Sequence, residues 1–236
     1  MSENLINTVQ EKLKEETWTR ATISNYTQND LKDLAVLVEE AKKENCVDGI
    51  LAITEEHLSH TKDSIIALYL SGMLSLEKGV LNNTALEALV DIFQKNHKEN
   101  IVVYLCESIL ADDPNNKFAL RTLAKNYQAE GDDKAWVLYT TLIKIDLDEA
   151  PIAKSLAEHY EETGDTKNAI EYYKKALLRF IKAEKYNECK DVWSKLVQTT
   201  PDDIDFFQLA RRKIVKAFSP EKTSIPASAR PAPPAC

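Results

Sequence analysis

The sequence predicts an all-α protein of antiparallel helix hairpins stacked as a repeat array, followed by a disordered Pro-rich tail. Three observations predict it. Apolar residues recur at helical spacing almost throughout. Helix breakers are scarce: 236 residues hold 5 Gly and 8 Pro, and five of the prolines lie at or after Pro220. Two segments also repeat each other at a spacing of 33 to 34 residues.

Taken in order, the first helix is expected over 3–16. Thr17 to Asn29 is rich in Thr, Ser and Asn, which favour turns and caps over helix interiors. Eleven helices then follow at 30–44, 46–59, 62–78, 83–96, 98–111, 116–130, 132–146, 149–163, 166–183, 186–199 and 203–218. Asn82-Asn83-Thr84 sits where a helix start needs a cap, and Asp112-Asp113-Pro114-Asn115-Asn116 reads as a turn. Gly131 and Gly164 fall where helices should end on a left-handed residue, and Asp132 and Asp165 follow as caps. Thr200-Pro201-Asp202-Asp203 closes one helix and opens another. Loops this short make neighbouring helices antiparallel.

The repeat sets Leu123-Ala124, Tyr127, Gly131, Ala135 and Tyr139 against Leu156-Ala157, Tyr160, Gly164, Ala169 and Tyr173. A small Ala lets two helices approach, Leu and Tyr fill the space between them, and Gly makes the turn. The period is that of tetratricopeptide repeats. The second-helix pattern recurs as Cys189, Trp193 and Leu196, and more weakly as Val102, Cys106 and Ile109. The last repeat starts early, so its first helix overlaps 166–183. The expected division is 1–29 as a helix and polar segment, 30–97 as degenerate helical repeats, 98–218 as tetratricopeptide-like repeats and 219–236 as the tail or a scar.

Composition narrows the function. With 30 basic against 38 acidic residues the net charge is −8, which argues against nucleic-acid binding and favours basic protein partners. Cys46, Cys106, Cys189 and Cys236 are far apart and form no CxxC, as suits reduced thiols. The N-terminus has no signal-peptide pattern, and the longest uncharged apolar run, Ser64 to Leu76, is too short to cross a membrane. A cytoplasmic protein is expected.

Stacked helix pairs carry a concave surface that grips extended peptides or helices. Arg121 and Lys125 share one helix face away from Leu120, Leu123, Ala124 and Tyr127. Lys154 and Glu158 are their repeat equivalents, and Lys174 lies one helix further on. A groove of Arg121, Lys125 and Lys154 is the candidate partner site, its cations suited to a carboxylate. The plainer alternative is an ordinary solvated face. Trp18 either anchors its polar segment or offers an exposed partner-binding ring.

No catalytic constellation is visible. His57 and His60 are three apart beside Glu55 and Glu56, but no HExxH and no third ligand accompany them. There is no phosphate loop and no GxSxG. Asp112-Asp113 and Asp202-Asp203 read as capping pairs. No enzyme activity, metal or cofactor is expected.

Finally, ETWTRATISNYT, TKDSIIALYLSGM, AIEYYKKALLRF and VWSKLVQTTPDDIDFF resemble the helical N-terminal extension of spirochaete Gre-type transcription elongation factors, over roughly residues 10–218. In that family the extension precedes a coiled coil with an acidic tip and a small globular domain, which enter RNA polymerase and promote transcript cleavage. Nothing here matches that Gre module, so no residue inherits the cleavage role. The resemblance implies a protein-binding scaffold whose partner is RNA polymerase or an associated factor. The alternative is a stand-alone tetratricopeptide adaptor or co-chaperone; Lys125, where a chaperone-tail clamp needs Asn, weakens it.

Overall fold

Among the described residues six helices end on a residue with positive φ, and that turn organises the architecture. The computed structural model describes residues 2–19, 26–79, 84–145 and 149–217. Among them every regular element is helical: α1 (Ser2–Thr19), α2 (Gln28–Lys43), α3 (Val47–His60), α4 (Ile65–Glu77), α5 (Thr84–Lys95), α6 (Glu99–Asp112), α7 (Lys117–Glu130), α8 (Lys134–Ile145), α9 (Ala150–Glu162), α10 (Thr166–Lys182), α11 (Tyr186–Thr199) and α12 (Ile204–Ala217). All twelve expected helices are present. Asn82 and Asn83 and the tail 219–236 lie outside the described residues. No described helix is long and apolar enough to cross a membrane.

The left-handed residues are Asn45, Gly79, His97, Gly131, Gly164 and Glu184. At five of them the next residue's N–H donates to the carbonyl five residues back: Cys46 to Ala41, Lys98 to Phe93, Asp132 to Tyr127, Asp165 to Tyr160 and Lys185 to Phe180. This closure satisfies carbonyls that a helix end leaves open. Gly131 and Gly164 were legible because Gly adopts positive φ freely. Asn45, His97 and Glu184 make the same turn without that signal.

A second turn alternates with the first. Here a side chain caps the next helix: Ser64 Oγ accepts from Ala67 N–H at 3.1 Å, Asn116 Oδ1 from Ala119 N–H at 3.1 Å, and Asp203 Oδ1 from Phe206 N–H at 3.2 Å. Left-handed turns join the helices of a pair, and the Ser64, Asn116 and Asp203 caps start α4, α7 and α12, while Asp165 caps α10 within a pair. By this register α2–α3 is a repeat pair, although its sequence pattern is faint. Two helices serve twice. α10 follows Gly164 as a second helix and precedes Glu184 as a first, and α5 stands likewise between Gly79 and His97. The overlap expected at 166–183 is therefore real, and it has a counterpart in α5.

The chain forms two compact units, Met1–Leu138 and Tyr139–Cys236, divided within α8. In the first, α4 packs against α1, α2, α3, α5 and α6. That accounts for the uncharged run from Ser64 to Leu76: Ile65 and every residue from Ala67 to Leu74 are buried. At Gly72 a Cβ would lie 2.5 Å from Leu86 Cγ, so only glycine lets α5 come this close. α1 reaches Thr19, three residues past its expected end. Near that end Glu16 caps α4, accepting from Ser64 Oγ, from Ile65 N–H at 3.0 Å and from Tyr26 Oη–H at 2.6 Å. A carboxylate there also meets the positive end of the α4 dipole.

In the second unit α10 packs against α9, α11 and α12. Its seam of Ala169, Tyr173, Ala176, Leu177 and Phe180 is almost wholly buried. Burying each large side chain contributes about 1.5–3 kcal/mol.

Candidate functional site: a charged cleft between α9 and α11

α9 and α11 both pack against α10. Each runs antiparallel to α10, so their polar faces stand side by side above it. The result is a cleft of about 410 Å³ lined by Lys154 and Glu158 of α9, Tyr173 of α10, and Lys190, Asp191, Ser194, Lys195 and Gln198 of α11. The α11 residues share a face by spacing: Lys190, Ser194 and Gln198 are four apart, as are Asp191 and Lys195.

Glu161 of α9 binds two of these lining residues. Tyr173 Oη–H donates to its Oε2 at 2.7 Å, and Lys195 Nζ donates to both oxygens at 2.9 and 3.0 Å. The Tyr173 hydroxyl and then the Lys195 ammonium hold the Glu161 carboxyl below the usual glutamate range. Burial, then the Glu161 hydrogen bond, pushes the Tyr173 hydroxyl well above the usual phenol range. These three groups tie α9, α10 and α11 together and leave their charges satisfied within the protein. Lys154 makes a looser pair with Glu158 at 3.7 Å, with its side chain 32% exposed. Lys190 is exposed and adds a third cation to the lining. The cleft thus offers lysines of differing commitment beside a carboxylate, serine and glutamine.

The sequence-derived residues fall in different places. Lys154 and Glu158 line the cleft. Arg121 and Lys125 lie on α7 in the first unit, Arg121 half-buried and Lys125 exposed, while Leu120, Leu123 and Ala124 face inward. Tyr127, expected in the core, is only partly buried: its hydroxyl meets Glu107 at 3.1 Å and Lys134 stands 5.2 Å over its ring. Lys174 turns from the cleft to pair with Asp203 and to cover the Phe206 ring at 5.2 Å. Trp18 belongs to α1, but its side chain lies outside the described residues. Sequence reasoning missed Glu161 and the whole α11 wall. The spacing of Lys190, Ser194 and Gln198 was the available signal. Among the described residues no group of three or more His, Cys, Asp or Glu is placed to hold a metal ion. Cys46, Cys106 and Cys189 are buried free thiols, and burial pushes Cys106 up to about 12.

No family model matches the chain. It is 39% identical over 203 residues to a Treponema pallidum protein described as a putative GreA-associated domains protein, covering 86% of this chain and 31% of that one. It is 36% identical over 214 residues to a Borreliella burgdorferi protein described as transcription elongation factor GreA, covering 90% of this chain and 24% of that one. The chain therefore spans less than a third of either relative's length. Among solved structures it is similar to MamA, at 20% identity and a TM-score of 0.40, covering 63% of this chain and 97% of that one.

Proposed function

Because this chain is a tetratricopeptide-like relative of spirochaete Gre-type proteins, we propose that it is a non-enzymatic docking module serving a transcription elongation factor. Its partner is RNA polymerase or a protein bound to it. The relationship along nearly the whole chain is the observation that carries this reading. The cleft supports it physically: a rigid helical scaffold presents Lys154, Lys190 and Lys195 beside Glu158 and Asp191, a mixed-charge surface suited to a polypeptide partner. On α7, in the other unit, Arg121 and Lys125 are further cations suited to a carboxylate. The module recruits or orients, and leaves chemistry to other proteins.

The direct test immobilises the full chain and passes purified bacterial RNA polymerase over it. Saturable binding is expected, weakened about tenfold or more by Arg121→Glu, Lys125→Glu and Lys154→Glu together. Lack of polymerase binding at any concentration removes the transcription reading. Binding that ignores the triple charge reversal removes these residues from the interface.

A further inference from the structure

The cleft between α9 and α11 carries its charges in a definite order. Both helices run antiparallel to α10, so they run parallel to each other, and the Glu161–Lys195 pair fixes their register. Counting back from that pair, Glu158 and Asp191 lie about 4.5–6 Å along the helix axes, and Lys154 and Lys190 about 7.5–10.5 Å. The lining therefore passes from a neutral tie, through two carboxylates, to two ammonium groups.

These charges differ in how free they are. Lys195 and Tyr173 are both spent on Glu161. A second carboxylate brought to Lys195 would stand against Glu161 and be repelled, so that lysine holds the wall and not the ligand. Lys190 and Asp191 are exposed, and neither makes an ion pair or hydrogen bond among the described residues. Lys154 and Glu158 meet only at 3.7 Å, with side chains 32% and 49% exposed, a contact weak enough to yield to outside charges. Size then decides the ligand's shape. A helix with its side chains is about 10–12 Å across, so a cleft of about 410 Å³ takes roughly one turn of it. An extended chain is thinner and sets residues i and i+2 on one face about 6.6 Å apart. That spacing matches Lys154 and Glu158, about 6 Å apart along α9. An extended chain also leaves backbone N–H and C=O groups unpaired, and Ser194 and Gln198 on the α11 wall offer donors and acceptors for them.

We propose that this cleft selects an extended partner segment with one acidic and one basic side chain two residues apart. The partner's carboxylate lies between Lys154 and Lys190, and its cation between Glu158 and Asp191. Lys195 is a positioning residue that keeps α11 at the right height through Glu161. The selectivity rests on the docking function proposed for this chain, but not on RNA polymerase being the partner.

The test uses four fluorescently labelled peptides with blocked ends, identical Gly-Ser frames around Glu-Ser-Lys, Lys-Ser-Glu, Glu-Ser-Glu or Lys-Ser-Lys. Their anisotropy is followed with the full chain at low ionic strength, up to millimolar concentration. The better of the two mixed-charge peptides should bind about threefold to tenfold more tightly than either single-charge peptide. Lys190→Glu should move the preference to Lys-Ser-Lys, and Asp191→Lys should move it to Glu-Ser-Glu. Both side chains are exposed, so the variants should keep their helical circular dichroism. No binding of either mixed peptide at millimolar concentration overturns the proposal. So does tightest binding of Glu-Ser-Glu by the unaltered chain, which marks a plain anion site, or a preference that both substitutions leave unmoved. Capture of RNA polymerase by the same proteins is read separately. Capture without peptide selectivity sinks the motif and spares the docking function; selectivity without capture spares the motif and removes polymerase as the partner.

Discussion

Glu161 sits where three helices meet, and its ionisation reports whether they do. Tyr173 and Lys195 both donate to it, which keeps its folded pKa below the unfolded value. A depressed carboxylate pKa adds stability above the unfolded pKa, and that contribution disappears as pH falls through the folded one. The window therefore lies below the ordinary glutamate value of ~4.3. Glu161→Gln should flatten the acid limb of a plot of denaturation midpoint against pH in that window. The effect should be modest, because both partners of the Lys195 pair are well exposed. An acid limb unchanged by the substitution would mean that the triad is not formed in solution. The cysteines play no comparable part: buried thiols held protonated are packing groups.

At the scale of elements, the left-handed turn is where this protein accepts strain. Gly adopts φ near +73° or +80°, as Gly131 and Gly164 do, without steric cost. Glu184 makes the same turn at φ 57° with a Cβ, and its Lys185 N–H still reaches Phe180 C=O at 2.9 Å. A left-handed L-residue costs roughly 1–2 kcal/mol, and glycine returns part of that as added freedom of the unfolded chain. Glu184→Gly should therefore stabilise the protein by about 0.5–1 kcal/mol in a urea titration. A loss of stability would show that the Glu184 side chain contributes more than its backbone conformation costs. The hidden repeats arise here too. Asn45, His97 and Glu184 do not announce a turn as glycine does, so the α2–α3, α5–α6 and α10–α11 joints were found as boundaries without their mechanism.

On the scale of the molecule, a repeat array holds together through neighbours only. Gly72 tests this, because any larger residue there must push on Leu86 across the α4–α5 contact. Gly72→Ala should cost about 1–3 kcal/mol through overpacking. Hydrogen exchange should then accelerate first in α4 and α5, while α9–α11 keep their protection. Uniform loss of protection across the chain would instead mean that it unfolds as one cooperative body.

The residue string by itself determined the helices, most of their ends and the shared role of α10. Those features depend on apolar spacing, caps and glycine, which are local and act before any distant contact forms. It also singled out Lys154 and Glu158, because repeat equivalence carries a position from one helix to the next. Tertiary structure alone decided which charges meet. Lys174 is drawn to Asp203, Lys195 and Tyr173 converge on Glu161, and Glu16 reaches the start of α4. Each of those partners lies 12 to 49 residues away, and a side chain's spacing within its own helix says nothing about which other helix will face it. Packing geometry makes that choice.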